Sequence, residues 1–207
     1  MPLPAENYVS QVLSRARFRA GIALWAIAVA FMLCWMGAII YAPYALVSGQ
    51  TNLAHYIYRF YSFLCHQIPS RSFHLGASPF AVCARCFGIY AGLTAGLFMY
   101  PLFRSMRSPE SPSRIWLLLA PIPTMTDFAL TYFGIWENTH LSRSVTGAIL
   151  GIGCAFFIVP GLIDVAQTDW KKVFNRSVKE EKEQSTLTTD PSSRAVPSDY
   201  SSPSRRI

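Results

Sequence analysis

The sequence predicts an all-α, polytopic membrane protein: a four-transmembrane-helix bundle with an outer interfacial helix and a disordered C-terminal tail. Three observations carry that expectation. Only 14% of the 207 residues are charged while 52% are hydrophobic, against about 25% charged in soluble domains. The charges are segregated, which leaves four apolar windows at residues 19–46, 79–103, 115–135 and 144–163. Each is of the length, about 20 residues, that crosses a hydrocarbon core. The basic residues gather at alternate window ends, as they do in chains that cross a bilayer repeatedly. Burial in a large soluble core fails as an explanation. Four such helices would consume the ordered chain and leave nothing amphipathic to cover them.

Taken in order, residues 1–18 form a short lead-in that ends on Arg15 and Arg17, with Arg19 just beyond. The first window exceeds the roughly 7–15 apolar residues of a secretory signal, and no small-x-small cleavage site follows, so it reads as an uncleaved anchor. The loop at 41–78 contains LAHYIYRFYSFLCHQ (53–67), with Tyr56, Phe60 and Phe63 at helical spacing. Aromatic side chains on one face suit an amphipathic helix at the outer interface. Ser78-Pro79 offers an N-cap followed by proline, a start for the second span. Gly88, Gly92 and Gly96 recur every fourth residue, as do Gly147 and Gly151 in the fourth window. Small residues at that spacing let two spans approach closely. Beyond residue 175 the chain is rich in Ser, Thr, Pro, Lys and Glu and cannot bury enough apolar surface to order itself. The division is therefore 1–18, a membrane domain at 19–164, and a tail at 165–207.

Orientation follows from charge. Arg15, Arg17 and Arg19 precede the first span, Arg104, Arg107 and Arg114 separate the second and third, and Lys171, Lys172, Arg176 and Lys179 follow the fourth. The positive-inside rule places all three groups in the cytoplasm. Both termini are then cytoplasmic, with 41–78 and 136–143 outside, in a multi-pass protein of the cell membrane. The net charge of +7 is thus tied to the bilayer and is no nucleic-acid footprint. The expected partners are membrane lipids.

Chemistry concentrates at the outer mouth. Cys34 and Cys154 lie within spans and read as small core residues. Cys65-His66 in the loop and Cys83-Ala-Arg85-Cys86 at the start of the second span are different. At about 100° per residue, Cys83, Cys86 and Tyr90 share one helix face while Arg85 points toward that of Gly88 and Gly92. An arginine at that depth costs roughly 2.5–3.5 kcal/mol unless it snorkels or finds a partner. Asp127, the acid deep in the third window, is the leading partner, and Arg143 is the alternative match for Asp127. Arg71 and Arg143 flank the cysteines, so the mouth also suits an anion such as a lipid phosphate, a carboxylate or a quinone carbonyl.

The run CHQIPSRSFHLGASPFAVCARCFGIYAG, with Asp127 and then Arg143-Ser-Val-Thr-Gly-Ala-Ile-Leu-Gly151 downstream, resembles the membrane-protein family catalogued as domain of unknown function 2085. The resemblance spans residues 20–165 and excludes the tail. It implies a multi-spanning protein and supports treating Cys65, His66, Arg71, Cys83, Arg85, Cys86, Asp127 and Arg143 as one site. It carries no catalytic role.

Four functions compete. Cys65, His66, Cys83 and Cys86 form a donor set suited to tetrahedral zinc, with His74 as a substitute for His66. The same three thiols suit a thiol–disulfide oxidoreductase linked to quinone, with Cys65 as the shuttle beside a Cys83–Cys86 pair. An anionic-lipid site built on Arg71, Arg85 and Arg143 needs neither metal nor redox chemistry. A passive membrane scaffold is the fourth. Substrate and oligomeric state are not encoded in any pattern visible here.

Overall fold

The computed structural model describes residues 15–106 and 111–168. The chain divides into two units, residues 1–167 and 168–207, and the first carries the architecture. The expected lead-in before residue 15 and the tail beyond residue 168 lie outside the described residues.

The fold is helical, with one small hairpin. The helices are α1 (Arg15–Val47), α2 (Thr51–Ser62), α3 (Ala84–Phe103), α4 (Arg114–Leu119), α5 (Ile122–Tyr132) and α6 (His140–Gln167). A 3-10 turn at Pro69–Arg71 precedes the hairpin of β1 (His74–Leu75) and β2 (Ser78–Pro79). Among the described residues, three helices are long and apolar enough to cross a membrane: α1, α3 and α6. Their apolar surface faces outward. Only 17% of the most apolar stretch of α1 is buried, and Ile27 and Phe31 are more than half exposed. Such a surface requires a hydrocarbon solvent.

The third window holds two short helices where one continuous helix was expected. It breaks at Ala120-Pro121 into α4 and α5, because Pro121 has no N–H for the ladder and its ring crowds the preceding turn. Neither piece alone is long enough to cross a bilayer, but together they lead from the C-terminal end of α3 back to the N-terminal end of α6, which packs parallel to α3.

The glycine ridge behaves as the spacing predicts. A Cβ on Gly88 or Gly92 would fall closer than 3.0 Å to the Ser144 or Ala148 backbone of α6. Gly147 and Gly151 reciprocate against Arg85 and Ile89 of α3. Backbone therefore touches backbone along the α3–α6 seam, where dispersion and close approach replace the hydrophobic effect. Helix α1 lies against this pair. The Trp25 Nε1–H donates to the Leu97 carbonyl at 2.9 Å, and Val29, Met32, Leu97, Tyr100, Ala155, Val159 and Ile163 form one core.

A second core closes the end of the bundle that carries the hairpin, from Ile39, Ala42, Tyr61, Cys65, Ala81 and Val82. Helix α2 ends at Ser62, earlier than expected, so Cys65-His66 falls in irregular chain and not at a helix end. Ser78-Pro79 does not start the second span. It pairs as β2 with His74–Leu75 around Gly76, whose φ of 60° suits the turn. Helix α3 begins five residues after Pro79, at Ala84, with Cys83 as its N-cap. The Tyr58 hydroxyl donates to the Pro79 carbonyl, and the Phe80 N–H donates to the Phe73 carbonyl at 2.7 Å. Those bonds satisfy the hairpin backbone and compete successfully with helix at Pro79. At the other end α6 continues to Gln167, past the expected boundary at 164. Cys34 is exposed on α1 and Cys154 is half-buried, so Cys34 is no core residue.

Candidate functional site

The irregular segment after α2 is held by Gln67. Its φ is 51°, the left-handed region, and its side-chain NH₂ donates to the Tyr58 carbonyl at 2.7 Å and the Ala81 carbonyl at 2.8 Å. One amide thus ties α2 to the segment entering α3 and sets Cys65 over Cys83. Tyr61 adds a second clamp, its hydroxyl donating to the Trp35 carbonyl at 2.9 Å. Burial pushes the Tyr61 phenol up to about 12, with Tyr90 adding to the effect.

The three sulfurs of Cys65, Cys83 and Cys86 lie within 4.8 Å of one another. Cys65 is 6% exposed, and its Sγ accepts the Cys83 backbone N–H at 3.2 Å. Cys83 stands at the N-cap of α3, where the exposed N–H groups of a helix end favour an anion. Hydrogen bonds from the Cys65 and then the Cys86 thiol hold the Cys83 thiol well below its ordinary range. His66 is not part of this triplet. It is exposed, on the rim of the same cavity. His74 lies exposed on β1, also outside the triplet.

The expected ion pair is present. Arg85 Nη2 donates to Asp127 Oδ2 at 2.6 Å, from α3 to α5. Asp127 is well served: Asn138 Nδ2 donates to Oδ2 at 2.8 Å and the Ser142 hydroxyl donates to Oδ1 at 3.0 Å. The Asn138 Oδ1 in turn accepts the Arg143 Nε–H at 2.6 Å. Arg143 therefore reaches Asp127 through Asn138, and the two arginines are wired to one carboxylate. The Arg85 guanidinium also lies 5.8 Å from the Phe128 ring centre. Gln67, Phe128, Asn138 and Ser142 were not singled out from the sequence.

These groups surround one cavity of about 500 Å³. Its lining includes Cys65, Cys83 and Cys86 together with His66, Arg71, Arg85 and Arg143. Three soft donors suit zinc and related ions: Zn–S bonds of about 2.3 Å in a tetrahedron put sulfurs about 3.8 Å apart. The triplet, with every separation under 4.8 Å, is compatible with that spacing.

An all-helical membrane bundle with a thiol-and-arginine cavity at one end defines the class. The family model described as "Predicted membrane protein (DUF2085)" matches residues 65–157, a stretch containing all eight candidate residues. An uncharacterised protein of Methanocaldococcus jannaschii is 32% identical over 148 residues, covering 69% of this chain and 94% of that protein. Another uncharacterised protein, from Methanothermobacter thermautotrophicus, is 34% identical over 95 residues, 46% of this chain and 84% of that one. The chain belongs to the DUF2085 family. No solved structure matches it.

Proposed function

We propose that this is a metal-binding protein of the cell membrane, holding a zinc-type ion on Cys65, Cys83 and Cys86 at the extracytoplasmic end of the bundle. The observation that carries the reading is the convergence of three sulfurs from two separate chain segments within 4.8 Å. A backbone N–H already directed at the Cys65 sulfur is the outer-sphere contact that thiolate ligands need. A fourth donor would come from the His66 imidazole, which lines the same cavity, or from a bound ligand. The basic groups at the opposite ends of the spans support placing both termini in the cytoplasm.

Thiol–disulfide exchange with a membrane quinone is the second reading, favoured by the lowered Cys83 thiol at a helix N-terminus. Elemental analysis of the purified full-length protein, with thiol counting before and after reduction, separates the two. Stoichiometric zinc that disappears in Cys83→Ser supports the metal site. A metal-free protein with a reducible bond among these three cysteines overturns it in favour of exchange.

A further inference from the structure

We infer that the cavity beside the sulfurs is a binding site for a phosphate oxyanion, with a phosphodiester headgroup as the form that fills it. Three guanidinium groups, Arg71, Arg85 and Arg143, line the cavity, and no carboxylate does. Asp127 is not in the lining; its direct ion pair is with Arg85, and Asn138 links it to Arg143. Among the described residues neither Arg71 nor Arg143 has a carboxylate partner. Like charges gathered around a partly enclosed space repel one another, and an anion in the middle turns that repulsion into attraction.

The geometry favours a planar-fork contact over a diffuse field. Arg85 is oriented on three sides: by Asp127 at one nitrogen, by the Phe128 face, and by its own helix. Its Nε is buried and has no hydrogen-bond partner. That nitrogen is sealed from the cavity, so a ligand is met by the exposed remainder of the guanidinium. Arg143 is fixed at its own Nε by Asn138, which leaves its terminal nitrogens for a ligand. Guanidinium forks match phosphate oxygens in pairs.

The charge balance selects a monoanion. Asp127 offsets one guanidinium, and a divalent ion on three thiolates carries one net negative charge, which leaves one cation over. This count rests on the metal reading; the arginine geometry does not. Leu64, Ile68, Ile89 and Phe128 supply apolar wall next to the cations. A phosphodiester attached to a glycerol backbone matches both surfaces, and free phosphate matches only the first.

The test uses full-length protein in uncharged detergent micelles, titrated calorimetrically with inorganic phosphate, with dihexanoyl-phosphatidylglycerol, and with neutral dihexanoylglycerol. Zinc content is measured on the same samples, so loss of the metal and loss of the anion site are read separately. Saturable binding of phosphatidylglycerol, weakened about tenfold or more in Arg71→Gln and in Arg143→Gln, is the expected result. Arg71 is exposed in a 3-10 turn, so its variant keeps the fold and serves as the decisive one. Binding of inorganic phosphate as tight as that of the lipid assigns the site to the free ion and overturns the headgroup. Binding of neither anion, or equal binding of dihexanoylglycerol, or indifference to both substitutions, overturns the site altogether.

Discussion

Arg85 of α3 and Asp127 of α5 meet at 2.6 Å although 42 residues separate them in the chain. The contact ties the short, proline-broken segment to the glycine-seamed pair α3–α6. Asp127 is 9% exposed and Arg85 24%, so neither charge is freely hydrated. Removing one partner leaves the other stranded. Asp127→Ala is expected to destabilise by about 3 kcal/mol, and the double variant with Arg85→Ala by less than the sum of the two singles. Thermal unfolding in detergent measures this cycle; strictly additive effects would show that the pair contributes nothing.

The seam makes a prediction of opposite sign at two glycines. Gly92→Ala places a methyl against the Ala148 backbone and forces α3 from α6, a loss of about 2 kcal/mol or more. Gly37 of α1 has nothing within 4 Å of an added Cβ. Gly37→Ala is expected to be neutral or to stabilise by about 0.5–1 kcal/mol, since alanine is the better helix former. Comparing the two midpoints under one condition decides the matter.

Gln67 holds the cysteines in place from outside the sulfur triplet. Gln67→Ala removes the two hydrogen bonds to the Tyr58 and Ala81 carbonyls. Metal affinity is expected to fall about 10–100-fold, as for other outer-sphere supports, with helicity unchanged. Competition with a chelator of known affinity reads it out. Unaltered affinity would show that the loop is held by other contacts.

The five cysteines are expected to sort into two groups. Cys65→Ser and Cys86→Ser abolish metal retention, whereas Cys34→Ser and Cys154→Ser retain it, because only the first group lies in the triplet. Metal retained in both Cys65→Ser and Cys86→Ser would remove the triplet from consideration.

Alkaline pH probes the clamp of α2 on α1. The folded-state Tyr61 phenol is raised from 10.0 to about 12. A raised folded value means that its contribution to stability is complete below pH 10 and is lost as pH climbs toward about 12. The phenolate can no longer donate to the Trp35 carbonyl. Ultraviolet titration of wild type against Tyr61→Phe is expected to show one phenol with a midpoint near 12 missing from the variant. A difference spectrum with its midpoint at 10 would contradict the burial argument.

Class and site were legible in the residues to different depths. Apolar length and charge segregation are local, additive properties, so the membrane class could be read directly from residues 19–46, 79–103 and 144–163. The Gly88/Gly92/Gly96 ridge and its α6 counterpart were readable for the same reason, since helical spacing alone places them on one face. The Arg85–Asp127 pair was inferable because two charges in apolar surroundings must find each other. Competition between local signals defeated the rest. Ser78-Pro79 satisfies both a helix start and a hairpin strand, and only the Tyr58 and Phe73 bonds choose the hairpin. Pro121 was masked within an apolar window by its hydrophobic neighbours.

The sequence by itself determined that this chain belongs in a bilayer, and it singled out the cysteines and arginines that line one cavity. Tertiary structure alone decided that Cys65 joins Cys83 and Cys86, that His66 and His74 stay outside that triplet, and that Arg143 reaches Asp127 through Asn138. Spacing along one helix fixes directions within that helix. The approach of a loop sulfur to a helix end depends instead on Gln67, in left-handed backbone, bonding carbonyls 9 and 14 residues away, and no periodicity encodes such a contact.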